Sequence, residues 1–479
     1  MIFPRTTVFE NPRVYPPLGM WSLMAVLKGK GHEVTFQDMS ELVTDQSGSR
    51  PIGFEDIPMD KDVYLIGGTS PQTQQMIALG KFLRENGKIL VAGGPHVSNN
   101  AGPVLGEQEL ATMLIPNGRD LSRFSSSARE LLSTFHVLVK SEGERSVVEA
   151  IARLDEGKRS MDRFGRGIVL RHPFIPREEM KEIPIPDRTY SHLYQVALYD
   201  EAGKAYPTTT AFTSRGCPEE CAFCDSPSED LWSRGTRYAD LGRVEEEFDD
   251  IYARGYRGVY FYDDILPLHK ERTLEMYRML AQRGMVSRCN LRTDIISKPN
   301  YGYEFLKQLR DHGLVDVFVG VESASNRIKD GIQKGTTIEQ DTLVLKWCKD
   351  LGIKFKASMI LPLPGETEET AKLSRQWVLR ERPHKVNVCL FIPFTGTPIV
   401  KTVYKARGGN ASLPYRTDVP DYDINWDADE SEMEKLFYAG SRKRGGLTAI
   451  TYTSSFCLQQ IQDFYHDWIE EIEREGIPY

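Results

Sequence analysis

Arg215-Gly216-Cys217-Pro218-Glu219-Glu220-Cys221-Ala222-Phe223-Cys224 is the stretch on which the reading of this 479-residue chain turns. Its cysteines are spaced C-x-x-x-C-x-x-C, with an aromatic ring just before the third. Three soft thiolates on one tight loop suit three corners of an iron–sulfur cube. No other cysteine lies near enough in sequence to make an obvious fourth ligand, so one iron of such a cube stays open to a small molecule. Two other uses of cysteine fit less well. A structural zinc site is normally closed by a fourth Cys or His at short spacing, whereas His192 and His269 lie far from the loop. A disulfide framework wants an even set in a small secreted chain, and this chain has seven cysteines.

Outward from the loop, the pattern alternates strand and helix. Strand candidates fall at Thr208–Thr213, Gly258–Tyr262, Arg288–Arg292, Val315–Gly320, Phe355–Ile360 and Val386–Phe391. Helical periodicity is expected between them, near Val244–Ala253, Lys270–Arg283, Tyr303–Asp311, Glu339–Leu351 and Glu368–Arg380. Six such units predict a partial (β/α)6 barrel over residues 206–400. The cysteine loop follows the first strand and therefore sits at the carboxyl mouth, where barrels place their chemistry.

A second α/β series precedes it. Leu18–Lys30 and Thr73–Glu85 read as helices, as does the stretch from about Ser146 to Leu154. Val34–Phe36, Val63–Ile66, Ile89–Ala92 and Val137–Val139 read as strands. Strands that are apolar throughout and alternate with helices imply a parallel sheet covered on both faces, with ligands at its carboxyl edge. This predicts a Rossmann-like, flavodoxin-like domain over residues 1–154, with segment 97–135 as an insertion or irregular crossover. Residues 155–205, with the Pro-rich Ile183-Pro184-Ile185-Pro186, read as a linker. Residues 401–479 read as a helical C-terminal cap, with helices at Trp426–Lys443 and Phe456–Glu475.

Bulk numbers limit the function. Net charge is −8, from 60 basic and 68 acidic residues, with no long basic run, so a protein built to grip nucleic acid is not expected. Hydrophobic content of 40% and charged content of 27% describe a globular chain, and no apolar run is long enough to span a membrane. Free cysteines and the absence of an export signal point to the reducing cytoplasm. Cys289, Cys348, Cys389 and Cys457 stand alone and are expected to be buried apolar thiols.

The loop and barrel together resemble the radical S-adenosylmethionine (SAM) superfamily. Matching blocks fall at each expected strand end: Tyr260-Phe261-Tyr262-Asp263-Asp264, Val319-Gly320-Val321-Glu322-Ser323, Leu361-Pro362-Leu363-Pro364-Gly365-Glu366-Thr367 and Phe394-Thr395-Gly396-Thr397-Pro398. The first α/β series resembles the cobalamin-binding domain of the class B methyltransferase-like branch. It does so through Tyr15-Pro16-Pro17-Leu18-Gly19, Gly68-Thr69-Ser70-Pro71-Gln72, Gly93-Gly94-Pro95-His96 and Glu142-Gly143-Glu144. Its opening strand is short, with only Met1-Ile2-Phe3 and Thr7-Val8-Phe9 available.

The resemblance implies three cofactors: a 4Fe-4S cluster on Cys217, Cys221 and Cys224, SAM on the open iron, and cobalamin as methylcobalamin. It implies SAM contacts from Phe223, Tyr262, Asp263, Asp264, Arg292, Gly320, Glu322, Ser358 and Leu361. Cobalamin contacts fall to Pro17, Leu18, Gly19, Gly68, Thr69, Ser70, Gln72, Gly93, Gly94, Pro95, His96, Glu142 and Gly143. The D-x-H-x-x-G motif is absent, so His96 is not expected to ligate cobalt. The implied reaction cleaves SAM reductively to a 5′-deoxyadenosyl radical, abstracts hydrogen from an unactivated carbon, and transfers a methyl group from methylcobalamin. The substrate would be a small molecule or lipid, and the electron donor a flavodoxin or ferredoxin. Two alternatives stay open. One is cyclisation, rearrangement or oxidation by the same cofactors without methylation, and the other is a non-catalytic cobalamin- or redox-sensing module.

Overall fold

The computed structural model describes residues 1–5, 12–45, 48–101, 111–114, 126–157, 168–226, 235–394, 397–400, 423–427, 430–438 and 446–479. The chain divides into two compact units, the first ending at Tyr194 and the second beginning at Gln195.

In the first unit the strands are β1 Ile2–Phe3, β2 Gln37–Asp38, β3 Leu42–Asp45, β4 Gly48–Pro51, β5 Val63–Gly67, β6 Ile89–Gly93, β7 Ala111–Leu114, β8 Val137–Val139 and β9 Ile168–Arg171. Seven of them form one sheet in the order β2-β1-β5-β6-β8-β9-β7, while β3 and β4 make a separate hairpin. All pairs in the large sheet are parallel except β7 with β9. The order of strand placement reverses at β1, with β2 on one side and β5 and β6 on the other, which is a doubly wound order. The continuous apolar runs Val63–Ile66 and Ile89–Ala92 require cover on both faces, and two separate cores provide it. Helix α1 (Leu18–Gly29) and α5 (Gly143–Gly157) pack together, as do α2 (Thr73–Glu85) and α4 (Ser126–Thr134). Leu27, Val147, Ala150 and Ile151 fill one core, and Met76, Leu83, Leu131 and Leu132 the other.

Several expectations are corrected here. The second strand lies at Gln37–Asp38, not Val34–Phe36, because parallel pairing with Ile2 and Phe3 selects those residues. Segment 97–135 contributes ordered elements: the end of helix α3 (Pro95–Asn100), β7 and α4. The last helix begins at Gly143, three residues early. Residues 155–205 are more than a linker. Ile168–Arg171 enters the first sheet, and the next strand enters the second. The Thr7–Phe9 strand candidate lies outside the described residues.

In the second unit β10 Val196–Tyr199, β11 Ala205–Ala211, β14 Gly258–Phe261, β15 Val286–Leu291, β16 Leu314–Glu322, β17 Lys354–Leu361 and β18 Lys385–Leu390 follow one another across a single sheet. Strands β12 Ser214–Arg215 and β13 Arg237–Tyr238 pair separately. From β11 onward all neighbours in the large sheet are parallel, and β10 runs antiparallel along β11. The sheet curls into a partial barrel, so that edge strand β10 comes close to β15 and β16. Alternation governs each strand. Val317, Val319 and Val321 of β16 enter the core beneath the helices, and Phe355, Ala357 and Met359 of β17 do likewise. Each such Val, Phe or Met side chain is worth roughly 1.5–3 kcal/mol of burial. The residues between them face the concave side. Helix starts are set locally. The Thr337 hydroxyl accepts from Gln340 N at 3.3 Å while Gln340 Oε1 accepts from Thr337 N at 2.9 Å, a reciprocal cap at the head of Ile338–Asp350.

The C-terminal segment joins this same core. Helix Leu458–Arg474 buries Ile461, Phe464, Tyr465, Trp468, Ile469 and Ile472. Beyond it, the carbonyl of Pro478 accepts from Val386 N at 2.9 Å, so the chain end satisfies the outer edge of β18. The expected helix from Trp426 is shorter, spanning Glu430–Phe437, and Trp426 is instead buried beside the Asn425–Tyr452 bridge. Among the described residues no helix is long and apolar enough to cross a membrane.

Glu366 follows β17 and is wholly buried. Its carboxylate accepts from Leu363 N at 2.8 Å, and burial pushes its pKa up to about 8. The native state therefore keeps a proton that the unfolded chain releases near 4.5, so stability falls as pH rises from about 4.5 to about 8. Glu366→Gln cannot ionise. Its Tm relative to the parent should become more favourable between pH 5 and pH 8.5, and a pH-independent difference in thermal unfolding would contradict this origin.

Candidate functional site

The cysteine loop starts where β12 ends, and its entry needs glycine, since Gly216 sits at φ +89°. Both flanks are tied to the end of β14. The Asp263 carboxylate is 0% exposed and accepts from Thr213 N at 2.8 Å, from the Thr213 hydroxyl at 2.6 Å, and from the Ser214 hydroxyl. Burial pushes its pKa up to about 6 against the pull of these donors. Asp264 accepts from the Ser226 hydroxyl at 2.8 Å, just beyond Cys224, and from the backbone of Gly216 ahead of Cys217. One carboxylate thus fixes the approach to the loop and the other holds its two ends. This corrects the expectation that Asp263 contacts a ligand, because its oxygens are already committed. The middle of the loop is also held, with Ala222 N donating to Ile332 O at 2.9 Å and Ile399 N to Ala222 O at 3.0 Å.

Cys217 and Cys221 are buried and Cys224 is half-buried, and none is in a disulfide. Burial pushes the Cys217 thiol up to about 11 and the Cys224 thiol to about 12. Thiols so placed ionise only against positive charge, and metal ions provide it. Among the described residues no three His, Cys, Asp or Glu side chains gather closely enough to grip one ion. A cubane makes a different demand, one thiolate at each of three irons, and three thiols on one loop suit it.

Two cations stand beside Cys221. Arg292, 6% exposed, points Nη1 at Cys221 Sγ at 3.4 Å and pairs with Asp294 at 3.0 Å and with Glu219 of the loop at 3.1 Å. It also donates to the carbonyl of Lys334. Lys334 pairs with Glu322 Oε1 at 2.9 Å and lies 5.7 Å from the centre of the Phe223 ring. Burial works against its charge, but Glu322 and Cys221 hold its ammonium above the usual lysine range. The loop carrying Lys334 is supported from below by a fully buried pair. Lys329 bonds Asp341 and the Thr336 hydroxyl, and Asp341 also accepts from the Thr293 hydroxyl at 2.6 Å.

Glu322 adopts φ +65°, unusual for a residue with a side chain, at an irregularity in the pairing of β16 with β17. Its second oxygen, Oε2, is buried without a hydrogen-bond partner. Gly320 makes room for the arrangement, since a Cβ there would lie 2.1 Å from Glu322 Oε1 and 2.7 Å from Lys334 Nζ. Ser358 is the register partner of Gly320 on the same concave face. Tyr262 packs edge-on to Tyr260 and Phe212. Leu361 is corrected, for its side chain turns into the outer core. Sequence reading missed Lys334, Glu219 and Asp294, for which no motif gives a signal. The isolated thiols Cys289 and Cys348 are buried as expected, Cys389 is half-buried, and Cys457 is exposed.

In the first unit the expected cofactor residues gather at the carboxyl edge of the sheet. The turns after β5 and β6 lie against each other, with Gly68 N donating to Gly93 O at 3.3 Å. Gly94 has φ +101°, and a Cβ there would meet Gly68 O at 2.7 Å. Gly19, Thr69 and Pro95 are exposed, Pro17 is buried, and Ser70 and Gly143 are partly covered. Leu18, Gln72, His96 and Glu142 are buried and support the edge. Gln72 accepts from Thr69 N at 2.9 Å and donates to Pro4 O, Glu142 accepts from Ile175 N at 2.7 Å, and His96 lies against Asn100 and Ser70.

Residues 212–378 match the Radical SAM superfamily. An uncharacterized methyltransferase of Pyrococcus horikoshii is 24% identical over 402 residues, 80% of this chain and 77% of the relative. An anaerobic magnesium-protoporphyrin IX monomethyl ester cyclase of Rubrivivax gelatinosus is 28% identical over 274 residues, 54% of this chain and 47% of the relative. Among solved structures, the radical SAM methyltransferase TsrM of Kitasatospora setae, with cobalamin and a [4Fe-4S] cluster bound, shares the fold. Its TM-score is 0.62 at 14% identity, covering 99% of this chain and 88% of TsrM.

Gly320→Ala tests the crowded pocket around Glu322. It should cost about 1–3 kcal/mol in denaturant unfolding, as overpacking does. Unchanged stability would mean that Lys334 and Glu322 move aside freely.

Proposed function

We propose that this chain, a radical SAM enzyme by its 212–378 domain, is a cobalamin-dependent methyltransferase acting on an unactivated carbon, or on phosphorus, of a small metabolite or lipid. The observation that carries the reading is the trio of thiols, two buried and one half-buried, on one loop at the mouth of a partial barrel, with Arg292 and Lys334 beside it. Cys217, Cys221 and Cys224 would hold the cluster and leave one iron open. Glu322 Oε2 offers an acceptor to an ammonium group, and Lys334 and Arg292 offer charge to a carboxylate, which together are the two ends of an amino acid. Phe223 supplies an apolar face, and Gly320 permits close approach. In the first unit the paired glycine turns give a side-chain-free edge to a corrin and its nucleotide tail. When bound, the cluster supplies the electron that splits SAM, and cobalamin supplies the methyl group. The protein's part is binding, orientation and exclusion of competing reactions. A flavodoxin or ferredoxin as electron donor belongs to the same reading.

A second reading keeps both cofactors but ends in cyclisation, rearrangement or oxidation, and likeness to an anaerobic cyclase favours it. Anaerobic incubation of reconstituted protein with SAM and dithionite separates the possibilities. Release of 5′-deoxyadenosine excludes a non-catalytic module, and S-adenosylhomocysteine selects methylation. Replacing Cys217, Cys221 or Cys224 singly by Ala should lower bound iron and bring 5′-deoxyadenosine to background. Cleavage that survives any of the three sinks the proposal.

A further inference from the structure

The concave face of the second unit's sheet carries more positive charge than its own acids satisfy. Alternation directs Arg288 of β15, Asp316 and Phe318 of β16, and Lys356 of β17 to this face, because Cys289, Val317, Val319, Phe355 and Ala357 take the opposite side into the core. Register sets Arg288 beside Asp316 and Phe318 beside Lys356. The Arg288 guanidinium carbon lies 4.4 Å from the centre of the Tyr260 ring and 5.6 Å from that of Phe318, and Lys356 Nζ lies 5.6 Å from the same Phe318 ring. Two cations therefore bracket one aromatic ring inside the partial barrel.

Asp316 does not neutralise them both. Its Oδ1 lies 3.3 Å from Arg288 Nε, yet neither atom completes a hydrogen bond. The same carboxylate also faces Lys356, Lys354 and Lys385. Lys354 is engaged elsewhere, 5.5 Å from the Tyr199 ring centre, and Lys385 is exposed. Lys356 is 8% exposed and has no hydrogen-bonded or ion-paired partner among the described residues. Burial, reinforced by Arg288 and Lys385, pushes its ammonium down to about 8. A buried charge left unpaired is costly, and an anionic ligand removes the cost.

We propose that Arg288 and Lys356 anchor an oxyanion of the substrate, a phosphoryl group or a carboxylate, on the concave face of the partial barrel. Arg288 offers a planar fork and Lys356 a point charge, the complementary ways of holding such a group. Arg288 precedes Arg292 by four residues, about 13 Å along the extended strand. A small molecule of about that length, gripped there, would span from the anchor to Arg292 beside the cysteine loop. The proposal rests on the function proposed above and narrows its substrate to an anionic small molecule.

Calorimetric titration of the reconstituted protein with inorganic phosphate and, separately, with acetate tests the site, with chloride at matched ionic strength as the reference. The parent should bind at least one of the two saturably at one site per chain, and the preferred ion reports whether the group is phosphoryl or carboxylate. Lys356→Gln and Arg288→Gln should each weaken binding about tenfold or more, as expected for losing one charge-assisted contact, while Lys356→Arg should restore it. Circular dichroism checks each fold, and should Arg288→Gln not fold, the two Lys356 variants decide. Absence of saturable binding to the parent, or equal binding in all variants, overturns the anchor. Parent protein that binds the oxyanion but cleaves no SAM keeps the anchor and loses the proposed function. Parent that cleaves SAM but binds neither ion does the reverse.

Discussion

The Asp263 carboxylate is the constraint on which the rest of the site depends. It is wholly buried and receives three hydrogen bonds from Thr213 and Ser214, so the end of β14 and the segment entering the cysteine loop form one rigid piece. A carboxylate in that position without donors would cost several kcal/mol. The donors are available only when the chain after β11 turns as it does. Asp264, the next residue, reaches Ser226 and Gly216 instead. Adjacent acids just beyond β14, with different partners, thus set where the three thiols are presented.

Alternation along the sheet strands produces the charge pattern of the concave face. Each strand from β14 to β18 gives one set of side chains to the helix-covered core and the other to the inside of the curl. The core side is satisfied by Val, Leu, Phe and Met. The inner side collects Arg288, Arg292, Asp316, Glu322 and Lys356, which water solvates only in part, so each needs a partner. Arg292 finds Asp294, Glu219 and Cys221, and Lys334 finds Glu322. Glu322 Oε2 and Lys356 do not find theirs among the described residues. Unmet polar capacity on a surface this enclosed is a binding property, in the way that strain at Glu322 is.

The first unit solves a different problem. Its turns after β5 and β6 approach so closely that Gly94 tolerates no side chain, and the neighbouring polar residues are consumed in holding them. Gln72 and Glu142 looked like ligand contacts because they sit in the right segments. Burial shows them to be supports, which leaves the backbone and Gly19, Thr69 and Pro95 as the accessible edge.

Periodicity and local chemistry were enough to locate the six parallel barrel strands within a few residues and to single out the three thiols. Helix Thr73–Glu85 was found to the residue, since its apolar spacing and the Pro-containing turn before it are local signals. What could not be read was anything resting on contacts between distant segments. Strand Gln37–Asp38 is chosen by pairing with Ile2 and Phe3, Ile168–Arg171 by pairing across β8, and Lys334 becomes important because it meets Glu322 twelve residues earlier and Cys221 over a hundred. The linear sequence determines which chemistry is carried, because thiol spacing is a local property. Only the fold decides which charges surround it, because a hydrogen bond or ion pair is fixed by separation in space.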